Sequence, residues 1–369
     1  MALPRLICPT CRVTVHLEKP PFVCRDCGGL LSLPLLPYKG PQDVSAPGIW
    51  RFKASLPLSS GVSLGEGDTP LLPARSDRFA SDGKSLFFKI ETGNPTGSFK
   101  DRGSASVTAA AVAHGFDRLV IASTGNAGAS VSAYAGRQGL PLTVVVPSWV
   151  SEGKLTQIAF HGAALKKVEG GFDDAEREYS GLVDGGAFPA GSDNPFRTEG
   201  TKTVAFEIYE QMSGLKPDRI IVPVGTGNLI TAMHKGFREI VEAGFLPDLP
   251  KIDAVQLASV PPLREQAQMS DSPTIPTSVA TGINIARAVL AREAVNAVDE
   301  TGGSIHVVGE EEVLSARGDL ARCEGIGTEP TGAVTVAAYR KAVSDGTVDS
   351  GEKVVVTITG HVLKQSVPR

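Results

Sequence analysis

Residues 93–103 read Gly93-Asn94-Pro95-Thr96-Gly97-Ser98-Phe99-Lys100-Asp101-Arg102-Gly103, a turn rich in glycine and proline that leads into a lysine. Small residues follow as far as His114 and Gly115, which predicts a helix that ends at a glycine. Lys100 is therefore expected in the first turn of that helix. The positive end of a helix dipole favours the neutral form of an amine and attracts anions. Such an amine is suited to forming an imine with a carbonyl compound.

Strand and helix patterns alternate on both sides of this stretch. Strands are predicted at 85–89, 118–122, 142–146, 164–168, 219–224, 254–257, 304–308 and 353–358. Helices are predicted at 129–137, 151–161, 229–242, 286–298, 310–323 and 331–343. Repeated βα units indicate an α/β protein built on open, mostly parallel sheets.

Two glycine loops follow predicted strands, at 123–128 and 225–228. The second is not a dinucleotide fingerprint, because Ile230 stands where the third glycine belongs, and no GxxxxGK[ST] motif supports a nucleoside triphosphatase. A glycine loop at a helix start can hold one phosphate group, although a tight turn without a ligand is the alternative for either loop alone. Together with Lys100, the loops predict a site for pyridoxal phosphate.

The composition excludes several classes of protein. Of the 369 residues, 41% are hydrophobic and 21% charged, which is typical of a folded globular enzyme. The net charge of −4 provides no basic surface for nucleic acid, and no apolar run approaches the span of a bilayer. No export signal is recognisable, so we expect a cytoplasmic protein.

Four of the five cysteines form two CxxC pairs near the start of the chain, Cys8 with Cys11 and Cys24 with Cys27. This spacing is typical of a zinc ribbon, in which four thiolates surround a structural zinc ion and leave no open position for water. The alternatives are four reduced thiols without a metal, or His16 in place of one thiolate. Disulfides are disfavoured in a reducing compartment.

The residues 94–103 resemble the lysine motif of the threonine synthases, a family of fold-type II (tryptophan synthase β-like) pyridoxal-phosphate enzymes. Segments similar to those of the family follow in the family's order at 64–71, 123–128, 194–203, 222–228 and 359–361. Some threonine synthases also carry an N-terminal cysteine segment. The resemblance covers essentially the whole chain. It implies two open, mostly parallel sheets flanked by helices, plus a small zinc-ribbon-like segment.

The resemblance also implies a domain organisation. Residues 1–35 are the zinc-ribbon-like segment, 36–60 a connector, 61–103 with 195–369 a large pyridoxal-phosphate domain, and 104–194 a small mobile domain. A homodimer is expected, without nucleic-acid or membrane partners.

Cofactor contacts are implied residue by residue. Lys100, beside Phe99, would form the imine with the cofactor and then move protons at Cα and Cβ of the substrate. Thr359 would face the pyridine nitrogen, and a hydroxyl there favours elimination and replacement over transamination. The remaining assignments are Asn126 for the phenolic oxygen and Gly225, Thr226, Gly227 and Asn228 for the cofactor phosphate.

Substrate contacts are implied in the same way. Ser123 and Thr124 would hold the substrate carboxylate, while Ser192, Asn194 and Arg197 would bind its phosphate, for which a guanidinium is well suited. The implied reaction is γ-elimination of phosphate from O-phosphohomoserine followed by addition of water at Cβ, giving L-threonine.

Three positions depart from the family pattern and keep alternatives open. Val362 replaces a usual glycine, Thr226 a common asparagine, and Gly191 stands where a polar side chain is expected. A cysteate synthase-like enzyme acting on O-phosphoserine is one alternative, and a serine or threonine deaminase-like lyase is another. A non-catalytic protein that binds pyridoxal phosphate, or a zinc-ribbon interaction protein, is the alternative outside enzymes.

Overall fold

The computed structural model describes residues 3–79, 85–150, 152–170, 172–261, 263, 278–285 and 288–365, with only the backbone for 152–154 and 172–173. Among these residues, no helix has both the length and the apolar character needed to cross a membrane.

The regular elements alternate along the chain as strands and helices. The strands are β1 Arg5–Ile7, β2 Thr14–His16, β3 Leu71–Pro73, β4 Ser85–Ile90, β5 Leu119–Ala122, β6 Leu142–Pro147, β7 Ala164–Val168, β8 Phe188–Pro189, β9 Arg219–Pro223, β10 Lys251–Leu257, β11 Ile305–Val308 and β12 Lys353–Ile358. The α-helices are α1 Lys100–Ala113, α2 Asn126–Gln138, α3 Glu152–Phe160, α4 Phe172–Asp184, α5 Pro195–Thr201, α6 Thr203–Gln211, α7 Asn228–Glu242, α8 Ala291–Thr301, α9 Glu310–Glu324 and α10 Pro330–Ser344. Short 3₁₀ helices cover Gly48–Ser55, Glu91–Gly93 and Val362–Lys364.

The chain divides into two compact units. The first unit comprises Met1–Gly67 and Lys100–Thr203, and the second comprises Asp68–Phe99 and Val204–Arg369. These bounds differ from the predicted domains, because residues 61–67, 100–103 and 195–203 belong to the first unit together with the cysteine segment. The mobility of a small domain stays a prediction.

In the first unit, four parallel strands form a sheet in the order β7-β6-β5-β8. Strands β1 and β2 form a separate antiparallel pair. Side chains of the cysteine segment, among them Leu6 and Phe22, share one apolar core with β5, β6 and α1. The segment is thus part of this unit's core, since burying such side chains removes apolar surface from water.

In the second unit, six strands form a sheet in the order β11-β10-β9-β12-β4-β3. All are parallel except β3, which pairs antiparallel with β4 at the edge. The apolar core lies between this sheet and the helices α9 and α10. The prediction of open, mostly parallel sheets flanked by helices is confirmed.

Three helices were not predicted from the sequence: α4, α5 and α6. All seven residues of α5 are buried, so its sequence shows no polar face with helical period. The helix predicted at 286–298 lies partly outside the described residues, at 286 and 287, and α8 begins only at Ala291.

Candidate active site

Lys100 begins α1, as the sequence predicts, and the chain before it is fixed by backbone pairing within the second unit. The amide of Phe99 donates to the carbonyl of Thr359 at 3.1 Å, and the amide of His361 donates to the carbonyl of Gly97 at 2.8 Å. The residues 97–99, which we call the lysine turn, and the segment 359–361 therefore hold each other in place. Two stretches that the sequence separates by 260 residues meet at the residue preceding the lysine.

Two buried hydroxyls in this part of the second unit have no hydrogen-bond partner among the described residues. They are Ser98 Oγ and Thr359 Oγ1, in side chains that are 0% and 2% exposed. A buried polar atom without a partner loses the stabilisation that water would provide, so such atoms mark places where a bound group completes the bonding.

A network of buried, hydrogen-bonded polar side chains fixes the turn that precedes Lys100. The Nδ2 of Asn94 donates to the carbonyl and carboxylate of Glu91, at 2.8 and 2.9 Å, and the same carboxylate accepts from Thr69 Oγ1 at 2.7 Å. Lys89 Nζ donates to the carbonyl of Thr69 at 2.7 Å and to Glu207 Oε2 at 2.8 Å. Because the buried charges are paired and hydrogen-bonded, their burial does not destabilise the fold, and the network keeps the turn in one conformation.

The glycine loop 225–228 connects the end of β9 to the start of α7 and requires both glycines. A Cβ on Gly225 would lie 3.0 Å from the carbonyl oxygen of Gly282. Gly227 has a φ of +88° as the N-cap of α7, and a Cβ there would lie 2.8 Å from the carbonyl oxygen of Leu290. The first N–H groups of a helix have no partner within it, so α7 presents donors for an anion at this loop.

Val362 is accommodated without the left-handed backbone that a glycine would permit. It begins the 3₁₀ helix Val362–Lys364, after His361, whose Nδ1 accepts from the amide of Leu363 at 3.2 Å. The departure from the family pattern therefore imposes no backbone strain at this point.

In the first unit, the loop 123–125 connects β5 to α2 and presents polar groups at the carboxyl end of the sheet. Ser123 Oγ accepts hydrogen bonds from the amides of Gly125 and Gly128, at 3.3 and 3.2 Å. Thr124 and Asn126 are partly exposed beside them. Ligands of open parallel sheets bind at this edge, where the loops follow the strands.

Buried acids hold the start of α1 in the first unit. The hydroxyl of Ser130 on α2 donates to Asp101 Oδ1 at 2.6 Å. The phenol of Tyr134 donates to Glu66 Oε2 at 2.8 Å. Burial, together with the charges of Asp101 and Glu66, raises the pKa of Tyr134, which stays a protonated donor.

Two glycines allow α1 and α5 to cross at backbone contact within the first unit. A Cβ on Gly200 would lie 2.1 Å from the carbonyl oxygen of Arg102, and one on Gly103 would lie 2.7 Å from Arg197 Cγ. The helix that begins with Lys100 therefore packs directly against the helix that carries Arg197.

Arg197 lies inside the first unit, with 1% of its surface exposed. Its Nε and Nη2 donate to the carbonyl of Ala190, at 3.1 and 2.6 Å, whereas Nη1 has no hydrogen-bond partner among the described residues. Burial lowers the pKa of Arg197 to about 10, and the nearby charge of Asp193 limits the shift. The guanidinium is thus charged at neutral pH and has an N–H group ready for an anion.

The environment of Arg197 explains the glycine at 191. A Cβ on Gly191 would lie 2.4 Å from Asp193 Oδ1. The other oxygen of this carboxylate, Oδ2, accepts a hydrogen bond from the phenol of Tyr179 at 2.7 Å. Burial raises the pKa of Asp193, although the Tyr179 hydrogen bond and the charge of Arg197 oppose the shift. The space that a polar side chain would take at 191 is filled by this pair.

The other predicted phosphate ligands lie in the loop before α5. Asn194 caps the helix, since its Oδ1 accepts from the amide of Phe196 at 2.9 Å and its Nδ2 donates to the carbonyl of Pro189 at 2.7 Å. Ser192 is partly exposed in the same loop. Lys202, which directly follows α5, is buried and pairs with Glu199 at 2.5 Å. The roles of Ser192 and Asn194 toward a substrate stay predictions.

The four N-terminal cysteines form one cluster, with all ligand atoms within 4.8 Å of one another. The Sγ atoms of Cys8 and Cys27 are 3.5 Å apart, and those of Cys11 and Cys24 are 3.7 Å apart. Tetrahedral zinc with bonds of about 2.3 Å to sulfur requires about 3.8 Å between sulfurs. Burial alone would raise the pKa of the Cys8 thiol, but hydrogen bonds from the Cys11 backbone and the Cys27 thiol lower it to about 7. The cluster can hold a metal such as zinc.

The sequence analysis did not identify the residues that hold the predicted site residues in position. Glu66 and Asp101 carried a signal, because the first lies between Gly65 and Gly67 and the second directly follows the lysine. Tyr134 and Tyr179 carried none, since a tyrosine on a helix is ordinary core material.

Comparison with known proteins identifies one family model that matches the chain. It is described as pyridoxal-phosphate dependent enzyme and matches residues 62–360.

Curated relatives match nearly the whole chain. A protein of Methanosarcina acetivorans named threonine synthase is 38% identical over 97% of this chain and 92% of its own length. One of Methanocaldococcus jannaschii with the same name is 37% identical over the same shares. A threonine synthase of Mycobacterium bovis is 38% identical over 86% of this chain and 88% of its own length.

Solved structures share the fold at low identity. A pyridoxal 5'-phosphate-dependent aspartate racemase aligns with a TM-score of 0.68 and 20% identity, over 79% of this chain and 90% of its own. A threonine deaminase aligns with a TM-score of 0.65 and 22% identity, over 81% of this chain and 94% of its own. These likenesses show the fold alone.

Proposed function

The chain belongs to the family of pyridoxal-phosphate dependent enzymes, and from this premise we propose that it is a threonine synthase. It would break the bond between Cγ and the phosphate ester oxygen of O-phosphohomoserine and add water at Cβ, giving L-threonine and inorganic phosphate. Relatives with this name, alignable over nearly the whole chain, support the proposal. The substrate would be a small phosphorylated amino acid.

The residues present fit pyridoxal phosphate. The loop 225–228 offers helix-start N–H groups to a phosphate, and the orphaned hydroxyl of Thr359 suits a ring nitrogen that stays neutral. When bound, the cofactor supplies an electron sink that makes protons at Cα and Cβ removable. Phe99, Asn126, Thr226 and Asn228 remain proposed cofactor contacts.

Lys100 would act as the base that takes and returns protons at Cα and Cβ of the substrate. It lies in the first turn of α1, at the electropositive end of that helix. Pairing of 97–99 with 359–361 and the hydrogen bond to Asp101 hold the backbone on both sides of it. A fixed backbone keeps the amine within reach of the reacting carbons.

The observation that carries the proposal is the buried Arg197, charged and with Nη1 unpaired among the described residues. A buried guanidinium N–H group without an acceptor is costly, so the site favours an anionic ligand that would accept from Nη1. A phosphate ester supplies two negative charges and oxygens that match the guanidinium fork. Ser123 and Thr124 would hold the substrate carboxylate, and Ser192 and Asn194 would complete the phosphate site.

The test is release of inorganic phosphate from O-phosphohomoserine by the holoenzyme, with the amino-acid product identified. Arg197→Ala is expected to lower kcat/KM by about a hundredfold or more, since it removes a buried charge-assisted contact, while the cofactor absorbance stays unchanged. Arg177→Ala, at a side chain 78% exposed, is the matched control and should keep full activity.

Three outcomes contradict the proposal. They are no phosphate release from O-phosphohomoserine, faster release from O-phosphoserine than from O-phosphohomoserine, and full activity of the Arg197→Ala enzyme.

We further propose a structural role for the metal cluster, a homodimer and a cytoplasmic location. Four thiolates leave a zinc ion no position for a substrate, so the metal would stabilise the cysteine segment. The family resemblance supports the dimer. Light scattering of the purified protein measures its mass, and a monomer would contradict this part.

A further inference from the structure

Phe22 belongs to the cysteine segment, yet its ring lies in the core of the first unit. The side chain is 1% exposed. It packs edge-to-face against two rings, with centroids 5.8 Å from Phe188 at an interplanar angle of 84° and 6.4 Å from Phe196 at 68°. These are favourable geometries for aromatic pairs, which makes the contacts specific in direction as well as apolar.

The two rings belong to the elements that hold the arginine that we propose to bind phosphate. Phe196 directly precedes Arg197 in α5. Phe188 lies in β8, two residues before Ala190, whose carbonyl accepts from both Nε and Nη2 of the arginine. One side chain thus contacts both the helix that carries the guanidinium and the strand that leads to its backbone acceptor.

The position of Phe22 depends in turn on the cysteine hairpin. Its carbonyl accepts from the amide of Leu31 at 2.9 Å, and the amide of Cys24 donates to the carbonyl of Gly29 at 2.8 Å. The second of these pairs closes the loop 24–29, which contains both knuckle cysteines, Cys24 and Cys27. The geometry of the metal-binding hairpin therefore determines where the ring enters the core.

We propose that Phe22 is a positioning residue for Arg197, so that the N-terminal cysteine segment is a structural part of the phosphate-binding site. A guanidinium recognises phosphate through N–H groups of fixed direction, so a small displacement of the group weakens the hydrogen bonds that bind the phosphate. The inference rests on the proposed function, in which Arg197 binds the substrate phosphate.

A purely structural role for Phe22 predicts a different result. Loss of core packing lowers the unfolding temperature but leaves the affinity of the folded enzyme for phosphate unchanged. Phe52 provides the matched control, because it is equally buried in the first unit and its ring packs on Tyr38, with the guanidinium of Arg51 over its face.

The experiment measures the dissociation constant of inorganic phosphate for the holoenzyme by calorimetry, since bound cofactor fills its own phosphate site. Phe22→Leu is expected to weaken phosphate binding about tenfold and to raise KM by a similar factor, with kcat and the visible cofactor band retained. Phe52→Leu should lower the unfolding temperature comparably and leave phosphate affinity unchanged. Phe22→Met, whose flexible side chain fills a similar space, is measured in parallel and decides the matter if Phe22→Leu does not fold.

Measurement of Arg197→Ala in the same assay distinguishes a failure of the Phe22 proposal from a failure of the phosphate role of Arg197. If Arg197→Ala loses phosphate binding while both Phe22 variants bind it as the wild type does, the positioning role is overturned and the proposed function stands. If Arg197→Ala binds phosphate as tightly as the wild type, the phosphate role of the arginine fails, and the proposal for Phe22 fails with it.

Discussion

At the scale of single residues, Lys100 is the group on which the proposed chemistry depends. Lys100→Ala should remove the visible absorbance band of the bound cofactor and reduce turnover by several orders of magnitude, because no other amine would replace it as nucleophile and base. Absorbance spectra and phosphate release measure this. Lys364→Ala is the control, since its ammonium lies near the same turn, on the carbonyl of Thr96 at 2.9 Å. Persistence of the band without Lys100 would refute the assignment.

Thr359 permits a separation of fold stability from cofactor binding. Its buried hydroxyl has no partner among the described residues, so Thr359→Val should leave the apoprotein as stable as before or slightly more stable. Cofactor affinity should fall about tenfold, as expected for one lost hydrogen bond. Spectroscopic titration with pyridoxal phosphate measures the affinity.

The control for Thr359 is Thr335→Val. Thr335 Oγ1 donates to the carbonyls of Gly332 and Thr357, at 3.1 and 3.2 Å. Removal of this hydroxyl should lower the free energy of unfolding by about 1 kcal/mol and leave cofactor affinity unchanged. The reverse pattern for the two threonines would contradict the role of Thr359.

At the scale of elements, the crossing of α1 and α5 links Lys100 to Arg197. Gly200→Ala should lower the free energy of unfolding by about 3 kcal/mol or more and reduce activity, because the added Cβ meets backbone 2.1 Å away. Gly181→Ala in α4 is the control, since a Cβ there meets nothing within 4 Å, and it should stabilise the fold by about 0.5–1 kcal/mol. Denaturant titration measures both, and a Gly200→Ala protein of normal stability would contradict the crossing.

The cysteine segment is the second element with a direct test. We expect about one zinc per chain in protein purified without chelator, and a lower unfolding temperature after its removal, because metal binding contributes to folding. Cys11→Ser should weaken metal retention. Cys323→Ser, far from the cluster in sequence, should retain the full metal content. A wild-type metal content near zero would rule the site out.

At the scale of the whole molecule, buried ion pairs make stability depend on pH. At the amino ends of the second unit's strands, Glu352 accepts from Arg219 Nε at 3.0 Å and from Lys251 Nζ at 3.0 Å. Burial alone would raise the pKa of Glu352, but these hydrogen bonds and charges lower it below the ordinary 4.5. A lowered folded pKa stabilises the protein above the ordinary value and loses that contribution as pH falls through the lowered one.

Glu352→Gln should therefore reduce the free energy of unfolding at pH 7 by about 1.5–3 kcal/mol and make the loss of stability below pH 4.5 shallower. Denaturant titrations at several pH values measure this. Asp117→Asn, at a side chain 81% exposed, should change neither quantity. A Glu352→Gln protein with the wild-type pH profile would contradict the linkage.

Much of this architecture could be predicted from local patterns. The strands β7 and β12 were placed at their observed bounds, and α1 begins at Lys100 as predicted. The fully buried α5 could not be recognised, because its polar and charged residues are buried as well and its sequence shows no alternation between an apolar and a polar face. Strand order and the membership of each unit depend on contacts between distant segments, which periodicity does not encode.

Local patterns in the sequence identify the chemistry available to this protein: a lysine at a helix start, two glycine loops after strands, and four cysteines with metal-ligand spacing. These follow from local rules, since each depends on a few consecutive residues. The burial of Arg197, with Nη1 unpaired among the described residues, and the pairing of Thr359 with the turn before Lys100 follow from long-range packing. The same packing places Phe22 of the cysteine segment beside the arginine. Burial and long-range contact arise from packing of remote segments into one core, and that packing has no local signature.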